Sequence, residues 1–163
     1  MNLRPPCISP SPSMAYSHYL AFFASHKDPR AFARFVEDIE RIVENAPDGS
    51  NLCGRTPEEK PLVSLDEVII GSRNLTSPFS RFKVAADSRA PKHRFPMVVL
   101  NSQYQHPYDS VVCACILAFV HSFPASEATS DGRQEDWTLG IALYEFSTER
   151  PAPKIFLHGS SCK

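Results

Sequence analysis

The residues best suited to chemistry fall in two short stretches. Tyr104, His106, Tyr108 and Asp109 gather just ahead of the most apolar segment, and Ser130-Asp131-Gly132 is followed by Glu135, Asp136 and Trp137. A histidine and a carboxylate beside a helix N-terminus can bind an anion or share a proton. No base or nucleophile follows at a known spacing, so the plainer expectation prevails. In that reading Asp109 is a charge favoured by the helix dipole and Tyr108 packs with its hydroxyl outward. The acidic group of the second stretch suits a hard cation, but the alternating ligands and terminal Glu of an EF-hand are missing. Asp131 and Gln134 fit the spacing of a capping box, worth about 1 kcal/mol, which explains the stretch without a metal.

Other candidates are sparser. The histidines His18, His26, His93, His106, His121 and His158 are scattered, with no HxxxH or HExxH pair. His121 falls in the last turn of the apolar helix, where a cation complements the dipole. There is no GxGxxG, GxxxxGK[ST] or GxSxG motif, so no cofactor and no metal is expected. Five cysteines, Cys7, Cys53, Cys113, Cys115 and Cys162, form neither a disulfide framework nor a zinc motif. Cys113 and Cys115, two apart on a helix, point to different faces and form no site together. The basic cluster Arg81, Lys83, Arg89, Lys92, His93 and Arg94 interleaves with Phe82 and Phe95, a pattern that can touch single-stranded nucleic acid. Asp87 lies inside it and the whole chain is neutral, so a solvated face is expected and nucleic acid is not.

These residues need a scaffold, and 163 residues suit one compact domain. With 42% hydrophobic residues the chain can build a core. A formal net charge of -1 argues against coating nucleic acid or an anionic membrane. The longest apolar run, Val111–Val120, is about half of the ~20 residues a membrane span needs. Met1–Pro12 has no continuous apolar region of the signal-peptide kind. The expectation is a reduced, cytoplasmic protein, in which the sequon Asn74-Leu75-Thr76 stays unmodified.

Residues 1–13, rich in Pro and Ser, are expected to be disordered, 14–150 to form the domain, and 151–163 to be a loose tail in which Ile155-Phe156-Leu157 adds a short strand or docks on the core. Tyr16–Ala24 is ambiguous between strand and helix. Asp28-Pro29 starts an amphipathic helix that buries Phe32, Phe35, Val36, Ile39, Ile42 and Val43. Arg34, Glu37, Asp38, Glu40 and Arg41 occupy its polar face, and Pro47 and Gly49 follow its end. Ser50–Pro61 reads as loop. Val68–Ile70, Phe79–Ala85 and Met97–Leu100 read as strands. Pro107 opens a second helix, Tyr108–Phe123, apolar all round and therefore buried on every side. A short strand over Ala125–Thr129 and a third helix with Trp137, Ile141 and Tyr144 on one face complete the set. The fold class is α+β, with a small antiparallel sheet packed against about three helices.

Pro107 to Tyr144 resembles a family of small, functionally uncharacterised bacterial and phage-type proteins. Their signature runs K-P-Y-D, an apolar helix ending in K-H-H-F, S-S-D-G and D-W. The corresponding residues are Pro107-Tyr108-Asp109, Val111–Val120, His121-Ser122-Phe123, Ser130-Asp131-Gly132 and Asp136-Trp137. His106, Val120 and Thr129 depart from the pattern, and about a quarter of the chain is covered. The resemblance implies helix, polar turn, helix in that order, and carries no activity with it.

Two functions remain in play. The first is a non-catalytic binding or accessory protein with a protein partner. The second is a small enzyme or ligand-binding domain whose polar site joins His106, Tyr108 and Asp109 to Asp131 and Asp136.

Overall fold

The computed structural model describes residues 15–21, 28–75, 80–86, 95–101, 107–130 and 132–157. Strand β1 (Ala15–Ala21) settles the ambiguity at the start of the chain. It pairs antiparallel with β6 (Phe95–Asn101) on one side and with β7 (Glu127–Ser130) on the other. Beyond β7 lies β8 (Phe156–Leu157), held in parallel, so the C-terminal apolar triplet supplies a strand. A second sheet forms around β4 (Glu67–Ser72), which pairs antiparallel with β2 (Leu52–Cys53), β3 (Leu62–Val63) and β5 (Phe82–Ala85). The stretch read as loop over Ser50–Pro61 therefore contains β2.

Among the described residues three helices pack beside these sheets, giving an α+β fold. Helix α1 (Pro29–Glu44) begins as its sequence dictates: the Asp28 carboxylate accepts the Arg30 N–H at 2.9 Å, with Pro29 in the first turn. Asp38 departs from the expected polar face. It is buried and ion-paired to Arg150, because the residue just beyond the third helix crosses over α1 at that point. Among the described residues no helix is long and apolar enough to cross a membrane.

Helix α2 (Pro107–Ser122) is the core, as its uniform apolarity requires. It packs against α1, against α3 (Thr138–Thr148) and against β7. Phe119 meets Phe35 edge-on with ring centroids 5.4 Å apart, and Phe123 meets Phe119 at a tilt, with centroids 4.6 Å apart. Such aromatic pairs add about 0.5–1.5 kcal/mol each beyond their burial.

The orientation of Tyr108 is a correction to the sequence reading. Its ring is wholly buried and its hydroxyl points inward, to the Ile70 carbonyl at 2.7 Å, the Ser80 carbonyl at 2.8 Å and the Phe82 N–H at 3.3 Å. The phenol has one proton to share between two carbonyls, and it accepts from the amide. Burial raises its pKa far beyond the ordinary tyrosine range. Tyr108 thus ties the start of α2 to the β4–β5 pair. Tyr108→Phe removes these bonds and leaves the carbonyls dry, so a loss of about 2 kcal/mol is expected. Urea unfolding should show a lower midpoint with an unchanged slope.

Candidate functional site

Adjacent helical residues point about 100° apart, so Tyr108 and Asp109 face different neighbours. Asp109 turns toward β1, while Cys113, one turn later, lies on the same helix face. In β1, His18 and Leu20 are both buried, as the two-residue strand period requires. His18 is also the direct cross-strand neighbour of Ser130 in β7.

These placements make one polar cluster. His18 Nε2 lies 3.3 Å from Asp109 Oδ1, and His18 Nδ1 lies 2.9 Å from Ser130 Oγ. Cys113 Sγ is 3.8 Å from His18 Nε2 and 3.9 Å from Asp109 Oδ1. The Gly132 N–H donates to Ser130 Oγ at 3.0 Å, fixing that hydroxyl from the turn side. The Trp137 ring meets the imidazole edge-on, with centroids 4.9 Å apart. His18, Cys113 and Ser130 have no exposed surface, and Asp109 keeps only 6%.

Two chemistries suit such a set. Ser130, His18 and Asp109 follow one another in hydrogen-bond contact, the succession of a serine hydrolase relay. His18, Asp109 and Cys113 offer one nitrogen, one oxygen and one sulfur donor, all within 4.8 Å of one another. Access weighs against the first. A substrate carbonyl must reach the nucleophile, and Ser130 is closed off from solvent. Cys113 is no better placed. Burial, reinforced by the Asp109 carboxylate, pushes its thiol pKa well up and keeps it protonated and inert. Cys115, equally buried, is raised by desolvation alone and stays apart from the cluster. A cavity lined by Asp66, Glu67, Ala85 and Ala86 lies elsewhere and includes none of these groups.

Of the residues singled out in the sequence, Asp109 is in the cluster, but as a buried partner of His18 and not as a solvated dipole charge. Tyr108 faces the other way. Asp136 accepts the Arg133 N–H at 2.7 Å and is half-buried, close enough that its charge contributes to the raised Cys113 pKa. That bond caps the short 3-10 turn Gln134–Trp137 leading into α3. The capping box here joins Arg133 and Asp136, two residues beyond the expected Asp131 and Gln134. His106 and Asp131 lie outside the described residues, as do Tyr104, Arg89, Lys92, His93 and Arg94.

Within the basic stretch, Lys83 pairs with Glu67 at 3.2 Å, and Arg55 pairs with the same carboxylate. His121 lies in the last turn of α2 as expected; desolvation, then the Arg150 guanidinium, lower its pKa, although Asp38 pulls the other way. The sequence reading missed His18 and Cys113 as members of a site. The signals available were the Asp109–Cys113 one-turn spacing and the alternation of His18 with Leu20.

Comparison with protein-family models, with curated proteins and with solved structures finds no match.

Proposed function

We propose that this chain is a non-catalytic binding domain of the cytoplasm, which docks on a protein partner through the outer face of α3. One observation carries the reading. Leu139 is 54% exposed and Phe146 73% exposed, with exposed Ala142 between them on the same helical stripe. The other side of the helix, Gly140, Tyr144 and Thr148, is buried on the core. A helix that shows water a large aromatic and a leucine at i and i+7 has the anchor pattern of helix-in-groove recognition.

The flanks specify the partner. From Gln134 to Glu149 the chain carries Glu135, Asp136, Glu145 and Glu149 and no Lys, Arg or His. Glu135, Glu145 and Glu149 are exposed. The fitting surface is an apolar groove bordered by Lys and Arg, whose charges steer association and suppress acidic competitors. Sealing of the hydroxyl, thiol and imidazole groups in the His18 cluster supports the non-catalytic half of the reading. Free thiols at Cys53, Cys113 and Cys115 accord with a reducing compartment. Kinship with the phage-type family belongs to the same proposal and adds no activity to it.

A photo-crosslinking residue at position 146, in cells that express the chain, should trap a discrete partner that the same residue at exposed Leu65 does not. Titrated as a purified protein, that partner should bind about 30-fold more weakly to Phe146→Glu, the effect of losing a central anchor worth about 2 kcal/mol. Its affinity should also fall with added salt. Equal trapping at both positions, or binding indifferent to Phe146→Glu, would refute the docking face. A second reading, an enzyme or ligand site joining Asp109 to the Ser130 turn, is favoured by one fact: both stretches meet on His18. It requires an opening that exposes the cluster.

A further inference from the structure

Three contacts of the His18 cluster, those among His18 Nε2, Asp109 Oδ1 and Cys113 Sγ, are at the loose limit for hydrogen bonds. The 3.3 Å between His18 Nε2 and Asp109 Oδ1 exceeds the usual ~2.9 Å of a good bond. The two thiol contacts, at 3.8 and 3.9 Å, are longer still. Another geometry fits these three separations better. Around a tetrahedral zinc ion, with bonds of about 2.0–2.2 Å to nitrogen and oxygen and about 2.3 Å to sulfur, neighbouring donors stand roughly 3.4 to 3.6 Å apart. The observed triangle of 3.3, 3.8 and 3.9 Å needs shifts of only a few tenths of an ångström to match.

We infer that His18 Nε2, Asp109 Oδ1 and Cys113 Sγ form a three-donor site for a zinc-class divalent transition-metal ion. The inference is independent of the docking face on α3. Three further features favour it. Mixed nitrogen, oxygen and sulfur donors suit a borderline-soft ion better than magnesium or calcium, which take oxygen. A dication with one carboxylate, one thiolate and one neutral imidazole sums to zero charge, the condition under which burial of charge is tolerable. Ser130 Oγ, held by the Gly132 N–H, sits where the Nδ1–H of a metal-bound His18 donates, the outer contact that orients a ligating imidazole. On binding, the metal replaces the Cys113 Sγ proton, which leaves to bulk water. The fourth coordination position takes one water molecule. Such an ion would clasp β1 to α2 inside the core.

The test uses the full chain. Protein purified from zinc-supplemented medium should carry one zinc per chain by elemental mass spectrometry. Unfolded with chelator and refolded with Co2+, it should show a sulfur-to-cobalt charge-transfer band. The band should vanish in Cys113→Ser and persist in the double variant Cys7→Ser/Cys162→Ser. Ser130→Ala should weaken zinc binding about 10- to 100-fold. If Cys113→Ser does not fold, X-ray absorption of the zinc form of the double variant decides, with a single sulfur expected among nitrogen and oxygen neighbours. Natively folded wild-type protein that takes up neither ion would overturn the site. So would a band that survives Cys113→Ser, or a zinc shell with two or more sulfurs.

Discussion

Gly140→Ala should lower stability by about 2 kcal/mol or more, although alanine is intrinsically the better helix former. A Cβ at position 140 would stand 2.3 Å from Cys113 Cβ and 3.2 Å from the Ser110 carbonyl oxygen. Carbon atoms in contact prefer about 3.5–4.0 Å. The opposing atom is a Cβ on a buried helix, so no side-chain rotation relieves the clash and α3 must move off α2. Overpacking of a close-packed interior costs typically 1–3 kcal/mol, and a 2.3 Å approach of two atoms that cannot rotate away belongs at or above the upper end; alanine recovers about 1 through propensity, which leaves about 2. For a chain of this size the melting temperature should drop by about 4–8 °C. Ala142→Gly, on the exposed side of the same helix, reads the propensity alone. A Gly140→Ala protein as stable as wild type would mean that α2 and α3 do not approach this closely.

Asp109→Ala should cost about 1.5–3 kcal/mol, the penalty for removing one partner of a buried hydrogen-bonded pair. His18 would keep its Ser130 contact and lose its Asp109 contact at Nε2. Asp109→Asn retains an acceptor oxygen and should cost less. Because Asp109 and Ser130 act on the same imidazole, Asp109→Ala and Ser130→Ala should be non-additive in a double-mutant cycle. Additive losses would show that the imidazole does not couple them. Thermal unfolding of the four proteins is sufficient to decide.

What the sequence made legible follows from how local each signal is. Helix α1 was readable to its cap, since Asp28, Pro29 and the spacing of its apolar residues lie within one segment. Helix α2 was readable because an all-apolar helix has only one place to go. Asp38 was misplaced on the polar face because its partner, Arg150, is 112 residues away, and no periodicity reports so distant an ion pair. The inward hydroxyl of Tyr108 depends on three backbone groups of the β4–β5 region and is likewise invisible locally. The site was half legible. Asp109 and the Ser130 turn stood out by composition. Their link runs through His18 in a strand whose type was itself ambiguous, and register across β1 and β7 is a tertiary fact. The side-by-side placement of Leu139 and Phe146 on water required knowing which face of α3 the core takes.

The cluster of His18, Asp109, Cys113 and Ser130 is closed in the native state, and a non-catalytic role requires it to stay so. Cys113 measures this directly, because alkylation of a buried thiol requires an opening. Alkylation of Cys113, followed by mass spectrometry across low denaturant concentrations, should show an opening free energy equal to that of global unfolding and the same denaturant slope. That result would mean the reactive groups meet solvent only when the fold is lost. Rapid alkylation with no denaturant dependence would reveal a local opening onto the cluster, contradicting the non-catalytic account and restoring the enzyme reading.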